Sequence, residues 1–351
     1  LGLSAGFLGS FAEKIGPKKS GLLAMLFWVT GLLGTAYALS IHNLTLLYLF
    51  YGIIGGIGLG IGYITPVSTL VKYFPNRPGF ATGLAIMGFG FASLIAGPLM
   101  QYLVAQVGLV DTFIILGVIY LVIMGASSLY LKAPQPKHST RTTKDRSTMY
   151  VHTHGMLAND AMKTWQFGAL WWVFFINITC GIGLLSLASP MAQEAIGMTP
   201  AAAASLVGII GIFNGGGRIA WSTISDYLGR AQTYILFFMI EIVAFYLLAQ
   251  TNSALTFQIL ILLIITCYGG GFSCMPAYLA DLYGIRQLST IHGRILTAWG
   301  LAGIAGPMLV SYFHEVGYGY ATALECFAAL FVLNTIIAIV MKLYGKRELH
   351  N

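Results

Sequence analysis

The chain has 351 residues, of which 57% are hydrophobic and only 8% charged, and its mean hydropathy is +0.81. Soluble domains carry about 25% charged residues, so this composition excludes a protein whose surface is covered by water and points to lipid. The net charge of +7 would suggest nucleic acid in a soluble protein, but in a membrane protein it indicates basic loops on one side, and we expect no nucleic-acid partner.

The apolar residues fall into eleven stretches, most of them about 20 residues long, the length that crosses a bilayer as an α-helix. The apolar character is continuous within each stretch, which predicts helices. We interpret the stretches as spans at 1–12 (partial), 20–40, 44–71, 80–106, 110–131, 165–190, 201–223, 231–250, 255–280, 289–313 and 319–343. All four cysteines lie inside spans, which argues against a disulfide framework.

Lysine and arginine are present in every second gap between spans and absent from the gaps in between. If the gaps are numbered from the one at residues 13–19, 17 of the 18 lysines and arginines lie in or beside the odd-numbered gaps and the C-terminal tail, and the even-numbered gaps hold none. This placement predicts that the odd-numbered gaps and the C-terminus are cytoplasmic. We therefore expect a multi-pass protein of the plasma (cell inner) membrane.

The longest gap, at residues 132–164, combines two prolines with a long polar run. Such a composition is typical of a flexible linker, and its position among the odd-numbered gaps makes it cytoplasmic. We predict an N-terminal helical half at 1–131, this linker, a C-terminal helical half at 165–344, and a cytoplasmic tail at 345–351.

An internal repeat relates the two halves. Gly97-Pro98 followed by Val107-Gly108 recurs with the same spacing as Gly306-Pro307 followed by Val316-Gly317. Both copies lie on the same membrane side, and parallel halves of six helices are the pattern of the major facilitator superfamily. By that pattern the first half lacks its first helix and the start of its second. We expect the chain to be a fragment or to have a missed start.

The loop at 9–19, Gly-Ser-Phe-Ala-Glu-Lys-Ile-Gly-Pro-Lys-Lys, resembles the signature loop between helices 2 and 3 of that superfamily, with Glu13 where the family usually has Asp. A weaker copy runs from Ser222 to Arg230. A carboxylate in such a loop can cap a neighbouring helix N-terminus and pair with a cation. Glu13, Asp226 and Arg230 are therefore predicted to latch the cytoplasmic face in the outward-facing state.

Arg218 lies deep inside a span, after three glycines that leave space beside it. Eight residues separate it from Asp226, which is about 12 Å of helix. A guanidinium at this depth is costly and usually functional, and Arg binds carboxylates in bidentate fashion. Asn214 lies one turn earlier on the same face and is predicted to assist. The alternative is a structural Arg that reaches the cytoplasm or pairs with Asp226.

The stretch from Asn214 to Arg230 resembles helix 8 and loop 8–9 of the oxalate/formate antiporter family, a branch near the monocarboxylate transporters. The resemblance covers nearly the whole chain apart from the linker and includes Phe74-Pro75, 79–83, 88–90, 269–271, Pro276-Ala277, 292–294 and Trp299. It implies the major facilitator fold. In that family the helix 8 Arg contacts the substrate carboxylate, which implies the same role for Arg218.

One position departs from that family. Its oxalate exchanger has a second cation, a Lys in helix 11, and the matching residue here is Trp299. A single cavity cation neutralises a dianion such as oxalate less well than a monocarboxylate such as lactate, pyruvate or formate. The comparison favours a monocarboxylate, and Trp299 is counted among the substrate-binding candidates.

Other cavity candidates come from helices that line the pathway in this fold. Tyr63 follows a run of glycines, Tyr268 and Phe272 lie one turn apart, and Asn177 lies in the first span of the second half. A phenol can donate to a carboxylate while its ring packs on the apolar end of the substrate. For each aromatic residue, packing against lipid or core is an equally good interpretation.

Proton coupling requires a carboxylate or a histidine that titrates with the substrate. The options are Glu194, Glu241, Glu325, Asp281 and His292. Glu194 is favoured because it lies at the outer end of a pathway helix, whereas Glu241 and Glu325 lie in helices that are usually peripheral. A solvated loop residue is the alternative for Glu194.

These features predict a secondary transporter of small organic anions, with or without a proton, that works as a monomer in the bilayer by alternating access. Gly97-Pro98 loosely resembles the superfamily's antiporter signature but lacks the following Gly pair, so exchange and proton symport both stay open. The rivals are oxalate/formate exchange, a non-acid solute, and a transport-inactive sensor or degenerate paralogue.

An enzyme is not expected. The chain carries no P-loop, no nucleophile–base pair and no metal cluster. His152 and His154 could suggest a metal site, but they have no Cys or carboxylate partner and fit a polar linker better. We expect neither a metal nor a cofactor.

Overall fold

The computed structural model describes residues 1–133 and 155–344, except for the side chains of Ser93 and His314. Most of the predicted linker, with His152 and His154, and the predicted tail lie outside these ranges. All regular structure in the described ranges is helical: α1 (Gly2–Ile15), α2 (Pro17–Ser40), α3 (Leu44–Leu47), a π-helical segment (Tyr48–Ile54), α4 (Gly55–Tyr73), α5 (Pro78–Tyr130), α6 (Ala158–Ala161), α7 (Trp165–Glu194), α8 (Pro200–Leu228), α9 (Arg230–Gln250), α10 (Ala254–Tyr283), α11 (Leu288–Glu315) and α12 (Gly319–Tyr344).

Nine helical segments in the described ranges are long and apolar enough to cross a membrane. They follow the predicted spans closely, and the span predicted at 231–250 is α9 almost residue for residue. An α-helix hydrogen-bonds its own backbone N–H and C=O groups, which a spanning segment requires because the bilayer core offers no water to bond them. The prediction of an all-α membrane protein is confirmed.

The repeat extends to backbone conformation at two pairs of glycines. Gly108, the one residue of α5 with a non-helical backbone, has φ 83° and separates the two spans predicted within that helix. Its repeat counterpart Gly317 has φ 81°, and the glycines that end the two signature loops, Gly16 and Gly229, have φ 81° and 92°. A positive φ favours glycine, so each repeat needs glycine at the same two turns.

The chain divides into two compact units. The first comprises Leu1–Pro75, Ile95–Ala161 and Tyr283–Thr297, and the second comprises Asn76–Leu94, Met162–Leu282 and Ala298–Asn351. The first part of α5 therefore belongs to the second unit, and the first part of α11 belongs to the first unit. The predicted division into halves at 1–131 and 165–344 stays a prediction.

Close helix contacts in the first unit depend on glycine. A Cβ on Gly9 of α1 would lie 2.7 Å from the carbonyl oxygen of Ser289, and one on Gly293 of α11 would collide with the backbone of Ala5. The described end of the linker also docks in this unit. Ala158 donates its N–H to Gln287 Oε1 at 2.7 Å, and Arg294 Nη2 donates to Asn159 Oδ1 at 2.8 Å. Small residues thus bring α1 and α11 into backbone contact, and polar bonds hold α6 beside them.

The core of the second unit is built mainly from aromatic residues on α9 and α12. Phe238 and Phe245 of α9 are fully buried, and their rings lie 5.5 and 5.6 Å from that of Phe331. Phe327 contacts Phe245 from the same helix as Phe331. This aromatic layer packs α12 against α9 within the unit that carries the candidate site.

Candidate functional site

Arg218 is carried deep into the second unit by α8. That helix starts at a capped end, where Ala202 N donates to Thr199 Oγ1, and it ends at Gly229 with a positive φ. Arg218 is ten residues before the last residue of the helix, about 15 Å along its axis. The side chain is 4% exposed, so the guanidinium is buried well inside the span.

Two contacts orient the guanidinium of Arg218. Its Nε donates to Asn214 Oδ1 at 3.0 Å, one turn earlier on α8. Its Cζ lies 4.7 Å from the ring centroid of Phe272 on α10, which is cation–π geometry. The structure thus brings together three predicted site residues, Arg218, Asn214 and Phe272.

The backbone around Arg218 ties α8 to α10. The Arg218 carbonyl accepts hydrogen bonds from Ser273 Oγ at 2.8 Å and from Ser222 Oγ. Tyr268, one turn before Phe272, is 5% exposed and lies within range of the charge of Arg218. The two serines were not predicted from the sequence, since a pattern within one helix does not show which carbonyl of another helix a hydroxyl meets.

The three consecutive glycines of α10 each face a neighbouring helix. A Cβ on Gly269 would lie 2.7 Å from the Asn214 carbonyl oxygen, and one on Gly270 would lie 2.6 Å from the Cβ of Trp221, so both positions meet α8. A Cβ on Gly271 would lie 2.7 Å from Asn177 Oδ1 of α7. The glycine run therefore lets α10 approach both α7 and α8.

Asn177 completes the buried polar groups around this crossing. Its side chain is fully buried, and neither Oδ1 nor Nδ2 has a hydrogen-bond partner within the described part of the chain. An unmet buried amide costs about 1–3 kcal/mol. The substrate-binding role of Asn177 stays a prediction.

The other predicted site residues are not among the contacts of Arg218 described above. Tyr63 belongs to the first unit, where its ring centroid is 5.5 Å from that of His292. Trp299 is half-buried on α11. Glu194, the predicted proton site, is exposed at the end of α7, and Tyr320 donates its hydroxyl to Glu194 Oε2 at 2.6 Å. Their proposed roles stay predictions.

A second cluster lies where α8 ends. Asp226 accepts the N–H groups of Gly79 and Phe80 at 2.8 Å each, so its carboxylate caps the N-terminus of α5. Arg230 Nη2 donates to Asp226 Oδ1 at 2.6 Å, and both side chains are about 5% exposed. Arg230 Nε also bonds Asp281 Oδ2 at 2.9 Å, so this carboxylate, one of the proton options, is an ion partner of Arg230.

The repeat counterpart Glu13 has a different partner. Lys72 Nζ donates to Glu13 Oε1 at 3.1 Å, and the Glu13 side chain is 18% exposed. Burial raises the pKa of Glu13, and the neighbouring Lys72 opposes that shift. The pair borders a small pocket that is partly open to solvent, which hydroxyls of α4 and Ser289 also line. The carboxylates of the two loops therefore share a position in the repeat but not a set of contacts.

Two adjacent glycines of α8 provide a matched test of the helix crossing. A Cβ on Gly217 would lie 2.6 Å from the Cα and carbonyl oxygen of Thr266 on α10, whereas one on Gly216 would meet nothing within 4 Å. We expect Gly217→Ala to cost about 1–3 kcal/mol by overpacking and to reduce solute uptake by displacing the neighbouring Arg218. Gly216→Ala should retain uptake and melting temperature. Equal behaviour of the two variants would contradict the prediction.

Comparison with known proteins finds matches along nearly the whole chain. The family model described as Major Facilitator Superfamily matches residues 1–307 and 171–349. The oxalate:formate antiporter of Oxalobacter formigenes is 25% identical, over 90% of this chain and 73% of its own length. Human monocarboxylate transporter 14 is 20% identical, over 95% of this chain and 79% of its own. The crystal structure of the human organic anion transporter MFSD10 (TETRAN) superposes with a TM-score of 0.75 at 15% identity, covering 96% and 80% of the two chains.

Proposed function

Because this chain belongs to the Major Facilitator Superfamily, we propose that it is a secondary transporter of small carboxylates. It is a multi-pass membrane transporter by family, and relatives named as an oxalate:formate antiporter and a monocarboxylate transporter confirm the resemblance read from its motifs. We place it in the plasma membrane as a monomer, with the basic gaps facing the cytoplasm, and its activity is transport and not catalysis.

The observation that carries the proposal is the buried and oriented guanidinium of Arg218. A charge inside a span is costly and marks a substrate or ion pathway in membrane proteins. The bond from Nε to Asn214 restricts rotation of the guanidinium, and a fixed fork suits bidentate contact with a planar carboxylate. Arg218 therefore supplies the charge, and Asn214 supplies the orientation.

Charge matching favours a monocarboxylate. Among the described lysines and arginines of the second unit, Arg218 is the one that lies far from both ends of its helix. A single guanidinium balances one carboxylate and leaves the second charge of a dianion uncompensated in a medium of low dielectric. The ring of Phe272 and the amide of Asn177 offer an apolar contact and a hydrogen-bonding group for the rest of a lactate-like or pyruvate-like molecule.

Transport follows from alternating access, in which the two repeats rock about the bound substrate. We propose that the caps and ion pairs at Glu13 and Asp226 hold the cytoplasmic ends of the helices in the outward-facing state. The bond of Asp226 to the first turn of α5 supports this role, because the sequence repeat assigns α5 and α8 to different halves.

A competition assay in liposomes tests the substrate class. The purified chain should take up labelled lactate, and unlabelled pyruvate and formate should compete more strongly than oxalate or a neutral sugar. Uptake that only a neutral solute inhibits would contradict the carboxylate proposal. Preferential inhibition by oxalate would favour the second candidate.

That second candidate is oxalate/formate exchange, which the name of the Oxalobacter formigenes relative supports. It requires a second source of positive charge at the site, since oxalate carries two negative charges. Liposomes loaded with formate should then take up labelled oxalate faster than empty liposomes do. Equal uptake by both kinds of liposome would contradict exchange.

A further inference from the structure

A carboxylic acid is buried in the middle of α9, and its Oε2 meets no hydrogen-bond donor in the described part of the chain. Glu241 is eleven residues after the start of α9 at Arg230, about 16 Å along the helix. Its side chain is 1% exposed, and its buried Oε2 has no hydrogen-bond partner within residues 1–133 and 155–344. A group in this position needs an explanation, because acidic residues inside spans are rare and usually functional.

The surroundings of Glu241 are apolar. Phe238 and Phe245, at i−3 and i+4, share its helix face and are fully buried against the rings of α12. From the neighbouring α7 and α10, the thiols of Cys180 and Cys267 lie within range of its charge. The titratable groups near Glu241 include these two thiols.

Glu241 and the Arg218 site are linked through the same two helices. Cys267 immediately precedes Tyr268, and Cys180 immediately precedes Gly181, against which the Tyr268 ring packs. Tyr268 in turn lies within range of the charge of Arg218. Neighbouring residues of α7 and α10 therefore connect Glu241 with the proposed substrate site.

An ionised carboxylate in such a layer would cost several kcal/mol unless a cation or hydrogen-bond donors accompanied it. The acid form avoids that cost, so the described conformation is one in which Glu241 holds a proton. For the proton to leave, α9 or its neighbours must admit water to the carboxyl group. A conformational cycle that rocks the helix bundle can provide this access once in each turnover.

We propose that Glu241 is the residue that carries the proton in proton-coupled carboxylate transport, an inference that rests on the function proposed above. In the release step the O–H bond of the acid breaks, the proton passes to water, and a carboxylate remains. Uptake of a proton from the other side restores the acid. One substrate anion at Arg218 and one proton at Glu241 leave the net charge of the loaded protein unchanged, so coupled uptake is electroneutral.

The test separates coupled uptake from exchange. In liposomes, Glu241→Gln, which mimics the acid form, should lose lactate uptake driven by a pH gradient and retain lactate counterflow at equal pH. Glu325→Gln is the matched control, because Glu325 is an exposed carboxylate on α12, and it should retain both activities. Glu241→Asp should keep part of the gradient-driven uptake because it keeps a titratable group.

Several outcomes would overturn the inference. One is gradient-driven lactate uptake that survives in Glu241→Gln. Another is a Glu241→Gln variant that is present at normal amounts in the membrane but loses counterflow as well as gradient-driven uptake. Decoupling by Glu194→Gln alone would assign the proton to Glu194 instead.

An infrared measurement without substrate distinguishes this inference from the proposed function. The wild type should show the carbonyl band of a buried protonated carboxyl at neutral pH, and Glu241→Gln should lack it. An absent band would overturn the inference even if carboxylates are transported. A wild type that shows the band but no carboxylate counterflow would contradict the proposed function alone.

Discussion

Arg218→Ala is expected to abolish carboxylate uptake while the protein still reaches the membrane. The substitution removes the buried guanidinium that Asn214 and Phe272 orient. Truncating one partner of a buried, hydrogen-bonded charge pair costs about 2–5 kcal/mol, which is roughly 30-fold to more than 1,000-fold in affinity. Initial rates of labelled lactate uptake, normalised to the amount of protein in the membrane, measure the effect.

Arg218→Lys should retain part of the uptake, because lysine keeps the charge but not the planar fork. Lys342→Ala provides the control, since Lys342 is an exposed cation near the end of α12, and its removal should leave uptake unchanged. Near-normal uptake by Arg218→Ala would end the carboxylate role of this residue.

The structure also weighs against one structural alternative for Arg218. Pairing with Asp226 would have explained a buried Arg without any substrate. The carboxylate of Asp226 instead accepts from Arg230 and from two backbone N–H groups of α5. Arg218 Nε donates instead to Asn214 Oδ1 on its own helix.

The fold class was predictable because few backbone structures are stable across a lipid bilayer. A spanning segment must be apolar on the outside and must satisfy its backbone internally, so the length of an apolar stretch predicts a helix directly. The bounds of α9 and α12 fall within one residue of the predicted spans. The break inside α5 was also visible in the sequence, because Val107-Gly108 interrupts the apolar run at a residue type that favours positive φ.

The site was predictable most directly where its residues share one helix. Asn214 and Arg218 are four residues apart, so the helical repeat places them on one face without knowledge of the fold. The sequence contains no comparable pattern that shows which residues of two different helices contact each other. The pairing of Arg230 with Asp281 spans 51 residues, and the glycines of α10 could be seen to favour close packing without showing that they face α7 and α8. The ring contact between Tyr63 and His292 in the first unit was likewise not visible in the sequence, and the binding role of Tyr63 stays a prediction.

Asp226→Asn is expected to reduce transport strongly, since asparagine keeps the shape of the side chain and loses its charge. The native carboxylate accepts two backbone N–H bonds from α5 and one bond from Arg230. Hydrogen bonds to charged groups contribute about 1.5–3 kcal/mol each, and breaking a buried ion pair costs about 3–5 kcal/mol. Glu13→Gln is the matched variant in the other repeat, and its effect should be smaller because Glu13 is more exposed and pairs with a half-exposed Lys72.

The reactivity of a native cysteine can show whether Asp226 acts as a latch that controls access to the cytoplasmic face or only as a cap that stabilises the fold. Cys274 is fully buried on α10 beside Ser225, within range of the charges of Asp226 and Arg230. If Asp226 latches the cytoplasmic face, its loss should open this region, and Cys274 should react with a maleimide much faster in Asp226→Asn than in the wild type. Cys267, also buried on α10 but not adjacent to this cluster, should stay protected as the internal reference, with both sites followed by peptide mass spectrometry. A lower melting temperature with unchanged labelling of Cys274 would indicate a cap that stabilises the fold without controlling access.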